Sequence, residues 1–451
     1  MKWFSGYFDK YMQKILVRRF VIYWRRISKR IRAEKKALAS PRLLWGPVAI
    51  INNKYWSEAL KKDGWNSTTL MGSVAQINDR SDFDLYFSDL EFKGFGKLLL
   101  RLFRRYTIVR DLLIFDYSVK HFDIFHLPCS GFCLGYFKNW ELEYHIFSLM
   151  GCKIIIMPFG GDFFRFSTLL DKCWTHAMLS NYPDLAKKEN EISKQVNFWV
   201  EKADFFFSGS QLDGIGRWDT LVFNASTINL ETWSPRHHHS SRSGIDEAIR
   251  IVHTPNHRAV KGTEYIIRAI EQLQKEGFKI DFILIEKRKN TEVNRILCEE
   301  ADILVEQLVY SGYGLSAVEG MAAGIPVICN LEDENRTRVF RRYSYLNECP
   351  VVSSNVENIK DNLKTLILNP ALRRVLGKAG RAFVEKYNSE KQAQFLFKRI
   401  YQKVWYGEKD DLVNLFHPLY KNSYNNLYPI IQHPLIENRI PPEALDIRKI
   451  Q

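Results

Sequence analysis

The residues that could do chemistry are concentrated in one stretch of the second half of the chain, Ser311–Cys329 (SGYGLSAVEGMAAGIPVIC). Its pattern predicts a glycine-bearing turn, a helix over about Leu315–Ala323 and then a buried strand. Gly312 and Gly314 would let a ligand approach the backbone closely. The free amide groups at the start of the helix would favour a phosphate, and Glu319, one turn further on, could accept hydrogen bonds from sugar hydroxyls.

Two series of alternating strands and helices must position this turn. Strands in one direction separated by helices predict parallel sheets, so we expect an α/β fold with two doubly wound, Rossmann-like domains facing a central cleft. The predicted strands are 43–51, 68–71, 122–127, 153–157, 204–207, 249–253, 280–285, 302–305, 326–329 and 351–352. The predicted helices are 55–62, 97–106, 140–150, 189–202, 263–276, 291–300, 315–323, 356–367, 370–376, 381–387 and 389–405.

The composition changes along the chain suggest four segments. Residues 1–40 form a basic, amphipathic N-terminal segment, and residues 41–235 an N-terminal acceptor domain. A stretch rich in Ser, Arg and His, residues 234–244, is typical of an interdomain linker. Residues 245–388 form a C-terminal donor-nucleotide domain, followed by a crossing helix and tail over residues 389–451.

The positive charge of the chain is concentrated at its start. The formal net charge is +14, and residues 1–40 hold twelve Lys or Arg against two acids. Aromatic and aliphatic side chains recur there at helical spacing, which favours a helix lying on an anionic membrane surface. The alternatives are a helix packed on the protein with a solvated basic face, and an arm that binds single-stranded RNA. Outside this segment we expect no nucleic-acid partner, because the remaining charge is nearly balanced.

Other features limit the class of protein. Charges interrupt every apolar run, so the sequence predicts neither a membrane span nor a secretory signal. The seven cysteines are scattered and odd in number, which favours reduced thiols and a cytoplasmic location. Cys129 and Cys133 have the spacing of metal ligands, but no second pair accompanies them. The histidines at 237–239 lie in a Ser- and Arg-rich stretch, which favours a solvated linker.

The C-terminal half resembles the retaining nucleotide-sugar glycosyltransferases of family 4, which have the GT-B fold. The residues that carry the resemblance are His257–Thr263 (HRAVKGT), Ala301–Val305 (ADILV) and Gly312–Val327 (GYGLSAVEGMAAGIPV), within about 250–405. Weaker similarity in the first half rests on residues 123–126, 159–162 and 228–235.

The resemblance implies roles for particular residues. Lys261, with Arg258, would bind the donor diphosphate, and Glu319 would hold the nucleotide ribose. Asp162 would orient the acceptor or act as a base, against the alternative of a helix N-cap. The implied donor-binding residues are Ser311, Gly312, Tyr313, Gly314, Leu315 and Glu319, with Gly160 and Gly161 from the first half.

Two positions and one segment depart from the family pattern. The family has a glutamate eight residues before the position of Glu319, where this chain has Ser311. The histidine expected before the glycines of the first-half motif is replaced by Phe159. The segment 286–301 is short for the unit that usually holds the base, so the base remains open between UDP- and GDP-linked donors.

Together these features predict a hexosyltransferase-type enzyme of polysaccharide biosynthesis. It would move a sugar from a nucleotide-sugar donor to a glycan or lipid-linked acceptor, with retention, without a metal or another cofactor, at the inner face of a membrane. Positioning and stabilisation of the leaving diphosphate would supply most of the catalysis. The alternatives are a non-catalytic binding protein, a sugar-nucleotide epimerase, and metal binding by Asp82 and Asp84.

Overall fold

Short apolar runs of two to five residues form two separate parallel β-sheets in the computed structural model. The structure describes residues 2–75, 78–103, 106–135, 139–209, 214–235 and 240–435, with the backbone alone for residues 2–10. The strands are β1 Leu43–Trp45, β2 Ser67–Met71, β3 Leu85–Tyr86, β4 Ile124–Leu127, β5 Lys153–Ile156, β6 Phe205–Phe206, β7 Ile249–His253, β8 Ile280–Leu284, β9 Ile303–Gln307, β10 Val327–Cys329 and β11 Val352–Ser353.

Helices connect most of these strands. They are α1 Lys2–Lys36, α2 Ile51–Lys62, α3 Gly94–Leu102, α4 Thr107–His121, α5 Trp140–Met150, α6 Lys172–Asn181, α7 Pro183–Ala186, α8 Glu189–Lys202, α9 Arg258–Lys261, α10 Thr263–Lys275, α11 Asn290–Glu299, α12 Leu315–Ala322, α13 Glu334–Tyr343, α14 Ile359–Leu368, α15 Pro370–Tyr387 and α16 Glu390–Val404.

The first sheet has six parallel strands in the order β3-β2-β1-β4-β5-β6. Every residue of β1 and β4 is buried, as expected for strands of a parallel sheet whose two faces are covered. The strand order reverses between β1 and β4. In sheets of this kind the crevice outside the carboxyl ends of the reversing strands is the usual ligand site.

The second sheet has five parallel strands in the order β11-β10-β9-β7-β8. Its order reverses between β7 and β9, so the loops after these two strands border the same crevice. Isoleucine, leucine and valine side chains from the strands and from α10, α14 and α15 form one buried core. The prediction of two Rossmann-like α/β domains is therefore confirmed.

The basic N-terminal segment forms α1, and one stripe of this helix is buried against the first sheet's helices. Trp24 Nε1 donates to Asp116 Oδ1 of α4 at 2.9 Å, and the Lys35 ammonium lies 3.0 Å from Asp123 Oδ1. For this part of α1 the structure shows a helix packed on the protein. The buried residues of the stripe are Leu16, Phe20, Trp24, Ser28, Ile31 and Lys35. Across the described residues, none of the helices combines the length and the apolar character that a membrane span requires.

Contacts along the chain divide it into two units that differ from the predicted continuous domains. The first is Met1–Phe164, Asn190–Phe207 and Phe397–Asp410; the second is Arg165–Glu189, Ser208–Leu396 and Asp411–Gln451. Residues 165–189 fall in the second unit because α6 packs against α9, and the Trp174 ring lies 5.0 Å from the Tyr310 ring. Chain order gives no sign of this contact.

Candidate functional site

The turn between β9 and α12 requires glycine because of the way its backbone folds. Gly312 has φ of 145°, a region that L side chains rarely adopt. Its N–H donates to the Asn330 carbonyl at 2.8 Å, and its own carbonyl accepts from Gln307 Nε2 and Cys329 Sγ. A Cβ at this position would lie 2.7 Å from the ring of Tyr310. The glycine therefore makes room for protein side chains, in addition to any access it gives to a ligand.

The start of α12 leaves amide groups without intrahelical partners. The first bond of the helix runs from the Val318 N–H to the Gly314 carbonyl at 3.3 Å. The three preceding amides, of Leu315, Ser316 and Ala317, therefore have no intrahelical acceptor and carry the partial positive charge of the helix end. Leu315 and Ser316 are only partly buried. An anion could reach these amides.

Lys261 lies at the same turn. It ends α9, which follows β7, and its ammonium donates to Glu306 Oε1 and Gln307 Oε1, each at 2.8 Å. A Cβ on Gly314 would lie 3.9 Å from Lys261 Nζ. The loops after β7 and β9 thus bring the lysine to the start of α12, at the reversal of strand order. An ammonium has three N–H groups, and these two contacts use two of them.

Glu306 is a site residue that the sequence analysis did not name. It is 1% exposed, and its carboxylate accepts from the Gly314 N–H at 3.0 Å, from Lys261 Nζ and from Cys329 Sγ at 3.1 Å. These contacts hold the lysine and the turn together. The available signal was an acidic residue inside the apolar run of β9, because a buried carboxylate needs a charged or hydrogen-bonding partner.

Arg258 forms ion pairs with two carboxylates, neither of which is a partner of Lys261. It lies at the start of α9, partly exposed, 2.7 Å from Glu264 and 3.2 Å from Glu286. The hydrogen bond that the guanidinium donates to Glu264 raises the pKa of Arg258 above its ordinary value. A diphosphate role for Arg258 would require it to exchange at least one of these partners, and that role stays a prediction.

Glu319 is buried on α12 and faces α11. Its Oε1 accepts from Asn290 Nδ2 at 2.9 Å, and burial raises the pKa of the carboxyl to about 7. Asn290 was not singled out from the sequence, since an amide at a helix start carries no distinctive pattern. Near neutral pH this carboxyl therefore changes between a protonated form, which can donate a hydrogen bond, and an ionised form, which only accepts.

The side chains of Ser311 and Tyr313 point into the protein. Ser311 Oγ accepts from the Asp333 N–H at 3.1 Å at the start of α13. The ring of Tyr313 packs in the core of the second unit, 5.1 Å from the ring of Phe223. Any contact of Tyr313 with a donor would therefore come from its backbone.

A cationic stack lies beside the turn. The guanidinium of Arg336 is 4.0 Å from the ring centre of Trp174 and 5.0 Å from that of Tyr310, with the carboxylate of Asp333 at 3.5 Å. Such stacking is favourable, particularly when the cation is desolvated. Because a Cβ on Gly312 would lie 2.7 Å from the ring of Tyr310, the stack lies close to the turn. The stack was not predicted from the sequence, because Trp174 is distant along the chain from Tyr310 and Arg336.

The candidate residues of the first unit follow β5. Gly160, Gly161 and Asp162 form a single 3₁₀ turn, in which Gly160 has φ of 60°. The Asp162 carboxylate accepts from the Phe159 N–H at 2.9 Å and the Ser130 N–H at 3.3 Å. Burial raises its pKa to about 7. Asp162 therefore ties two loops together, as a capping residue does, and its role toward an acceptor stays a prediction.

The two aspartates of the metal alternative each pair with a lysine. Asp82 and Asp84 pair with Lys54 at 2.7 Å and Lys61 at 2.6 Å. All seven cysteines are free, and Cys129 and Cys133 are buried thiols. Within the described ranges no three His, Cys, Asp or Glu side chains come together as metal ligands. The histidines at 237–239 lie outside the described residues.

Residues 268–383 match the model of the family described as glycosyl transferases group 1. A search of curated protein sequences finds no match. Among solved structures, sucrose-phosphate synthase from Thermosynechococcus elongatus is similar at 14% identity over 82% of this chain and 100% of that chain, with a TM-score of 0.53.

Two further solved structures are similar at lower scores. HepE of Anabaena, solved in complex with UDP and glucose, has 10% identity over 79% of this chain and 98% of that chain, with a TM-score of 0.49. A glycosyltransferase from Rickettsia africae has 13% identity over 82% of this chain and 100% of that chain, with a TM-score of 0.47. At 14% identity, the likeness to sucrose-phosphate synthase shows the fold alone. The family match over residues 268–383, which includes the turn, Glu306 and Glu319, together with this fold, indicates a glycosyltransferase enzyme of the GT-B fold.

Proposed function

We propose that the second unit binds a nucleotide-diphosphate sugar at the turn between β9 and α12. Lys261 and the first amides of α12 would receive the diphosphate. The observation that carries the proposal is the convergence, within about 3 Å contacts, of Lys261 Nζ, Glu306 and the Gly314 N–H. Lys261 and the Gly314 N–H come from the segments after β7 and β9, and Glu306 lies near the carboxyl end of β9, so the three groups meet at the reversal of strand order, which is the usual ligand position of such a sheet.

Glu306 would act as a fixed support for the lysine. Its carboxylate is anchored by the Gly314 amide and by Cys329 Sγ, so it can hold the Lys261 ammonium without leaving its place. The third N–H of the lysine and the amides of Leu315 and Ser316 would then stabilise the charge that develops on the departing diphosphate. Preorganised donors of this kind provide much of the rate enhancement in group transfer.

Recognition of the rest of the donor would be divided between other residues. Glu319 would accept hydrogen bonds from the ribose, with Asn290 orienting its carboxylate. Because Ser311 replaces the family's glutamate and its hydroxyl is engaged with Asp333, the donor-sugar hydroxyls would depend on other groups. The resemblance supports retention, in which the leaving phosphate accepts the proton of the attacking hydroxyl.

The acceptor and the location belong to the same proposal. A glycan or lipid-linked acceptor would bind the first unit near Asp162, which follows β5 of its sheet. The enzyme would be cytoplasmic and peripheral on the inner face of a membrane, in line with the basic exposed side chains of α1 and with seven free cysteines. We expect activity to persist with a chelator, because Lys261 and the amides provide the positive charge.

A thermal-shift panel tests the donor assignment. UDP, GDP and their sugar conjugates are added to the full chain and to the variant Lys261→Met/Glu306→Gln. We expect a nucleotide sugar to raise the melting temperature of the wild type, since a ligand that binds only the native state stabilises it by mass action. We expect the shift to vanish in the variant, which removes both charges and leaves no unpaired buried ion.

A matched control neutralises another buried ion pair in the second unit. Lys386 Nζ lies 2.9 Å from Glu348 Oε2, so Lys386→Met/Glu348→Gln makes the same chemical change away from the turn. This variant should keep the ligand-induced shift. A shift that persists without Lys261 would overturn the assignment of the diphosphate, and a panel without any shift in the wild type would overturn the donor site itself.

A further inference from the structure

Helix α3 of the first unit presents its apolar side to solvent. The helix contains no buried residue, and Phe95, Leu98 and Leu102 are 72%, 48% and 64% exposed. Their spacing of three and four places these side chains along one stripe. Large apolar side chains grouped in this way on a surface are typical of an interaction site.

The neighbouring stripe of α3 is basic. Lys97 and Arg101 are exposed, four residues apart, and the exposed Lys93 immediately precedes the helix. The opposite side contacts the protein, since a Cβ on Gly96 would lie 3.6 Å from Leu113 of α4. A short helix thus rests on α4 while offering an apolar stripe and a cationic stripe side by side.

Helix α1 also packs against α4, and its exposed side adds cationic surface. Its apolar stripe is used in packing against α4, where Trp24 contacts Asp116, one turn beyond Leu113. Its remaining faces point outward and are dense in cations. The exposed ones are Lys14, Arg18, Arg19, Arg25, Arg26, Lys29, Arg30, Arg32 and Lys36.

We propose that α3 lies in the interface of an anionic lipid bilayer, with Phe95, Leu98 and Leu102 inserted between headgroups. Lys97, Arg101 and the exposed cations of α1 would contact the anionic headgroups. This combination is that of an interfacial helix, which uses apolar burial and attraction to acidic lipids together. A protein partner fits less well, because the centres of protein interfaces are depleted in lysine. The inference goes beyond the donor site and does not depend on it.

Vesicle sedimentation of the full chain tests the proposal. The probes are vesicles of phosphatidylcholine alone and of phosphatidylcholine with phosphatidylglycerol. We expect the wild type to sediment with the anionic vesicles only, and less so as salt rises. Phe95→Ser/Leu102→Ser should lower the partition coefficient about tenfold or more, because each side chain contributes apolar burial. Lys97→Glu/Arg101→Glu should lower it by a similar factor.

A matched variant controls for the loss of exposed apolar residues. Leu419 and Leu427 of the second unit are 89% and 63% exposed, so Leu419→Ser/Leu427→Ser makes a comparable change elsewhere and should sediment as the wild type does. Equal sedimentation of the Phe95/Leu102 variant and the wild type would overturn the role of α3. Absence of binding to anionic vesicles, or equal binding to neutral ones, would overturn the proposal as well. The nucleotide-induced thermal shift is read separately, so failure of one proposal is distinguishable from failure of the other.

Discussion

Individual buried charges of the second unit decide how its site responds to pH. Glu319 keeps its proton up to a pKa of about 7 in the folded protein, whereas an unfolded glutamate titrates near 4.3. Between these values the folded state binds more protons than the unfolded state, so this group's contribution to stability falls as pH rises through the window.

The substitution Glu319→Gln isolates this effect, because glutamine can still accept from Asn290 but does not titrate. We expect the variant to gain about 3 kcal/mol of unfolding free energy relative to the wild type between pH 4 and pH 8. Urea unfolding at both pH values measures the difference. The same substitution at the exposed Glu271 should change the wild-type difference little, and an equal response of the two variants would contradict the assignment.

At the scale of elements, the turn before α12 depends on a glycine whose backbone is not strained. Gly314 has φ of −106°, so alanine is allowed there, but its Cβ would lie 2.8 Å from Glu306 Oε1. We expect Gly314→Ala to displace Glu306, to cost about 1–3 kcal/mol of stability, and to weaken the nucleotide-induced thermal shift. Gly72→Ala, with its nearest atom at 3.5 Å, is the control. A Gly314→Ala variant with unchanged stability and ligand response would show that Glu306 can move freely.

Patterns of apolar spacing predicted most elements because packing and periodicity agree in them. The limits of α5 and α8 coincide with their predicted ranges. Residues 370–376 and 381–387 were predicted as two helices, but residues 370–387 form one helix, α15. Gly380 allows α15 to pack closely against α12, since a Cβ on Gly380 would lie 3.1 Å from the Met321 side chain. The charged helix α13 was missed because its buried face includes Arg336, and its start is fixed by a cap from Asp333.

The site was predictable only where residue type alone carries the chemistry. The glycines, Lys261 and Glu319 could be named from their spacing and from the family resemblance. The pairing of Lys261 with Glu306, the burial of Tyr313 and the ion pair of Arg258 with Glu286 depend on contacts between segments that are separate along the chain. Such contacts follow from the order of strands in the sheet, which a single sequence does not reveal.

At the scale of the whole molecule, residues 165–189 belong to the second unit although they lie along the chain between β5 and β6 of the first sheet. Trp174 on α6 is buried against Tyr310 and Arg336, and truncation of a buried tryptophan costs about 3–5 kcal/mol. We expect Trp174→Ala to speed hydrogen exchange in peptides from α9 and α13 and to leave β4 and β5 protected. Leu419→Ala, at an exposed position of the same unit, should have little effect. Unchanged exchange in α9 and α13 would contradict the dependence.

The interleaving of the two units along the chain has a consequence for engineering. Polypeptide passes from one unit to the other after Phe164, Glu189, Phe207, Leu396 and Asp410. Consider a chimaera in which residues from 208 onward are moved to another transferase at a single junction. It would lack Trp174, and a residue of the other protein would then face Arg336. Grafting sugar-nucleotide selectivity between relatives therefore means moving several pieces of sequence at once, with the tryptophan included.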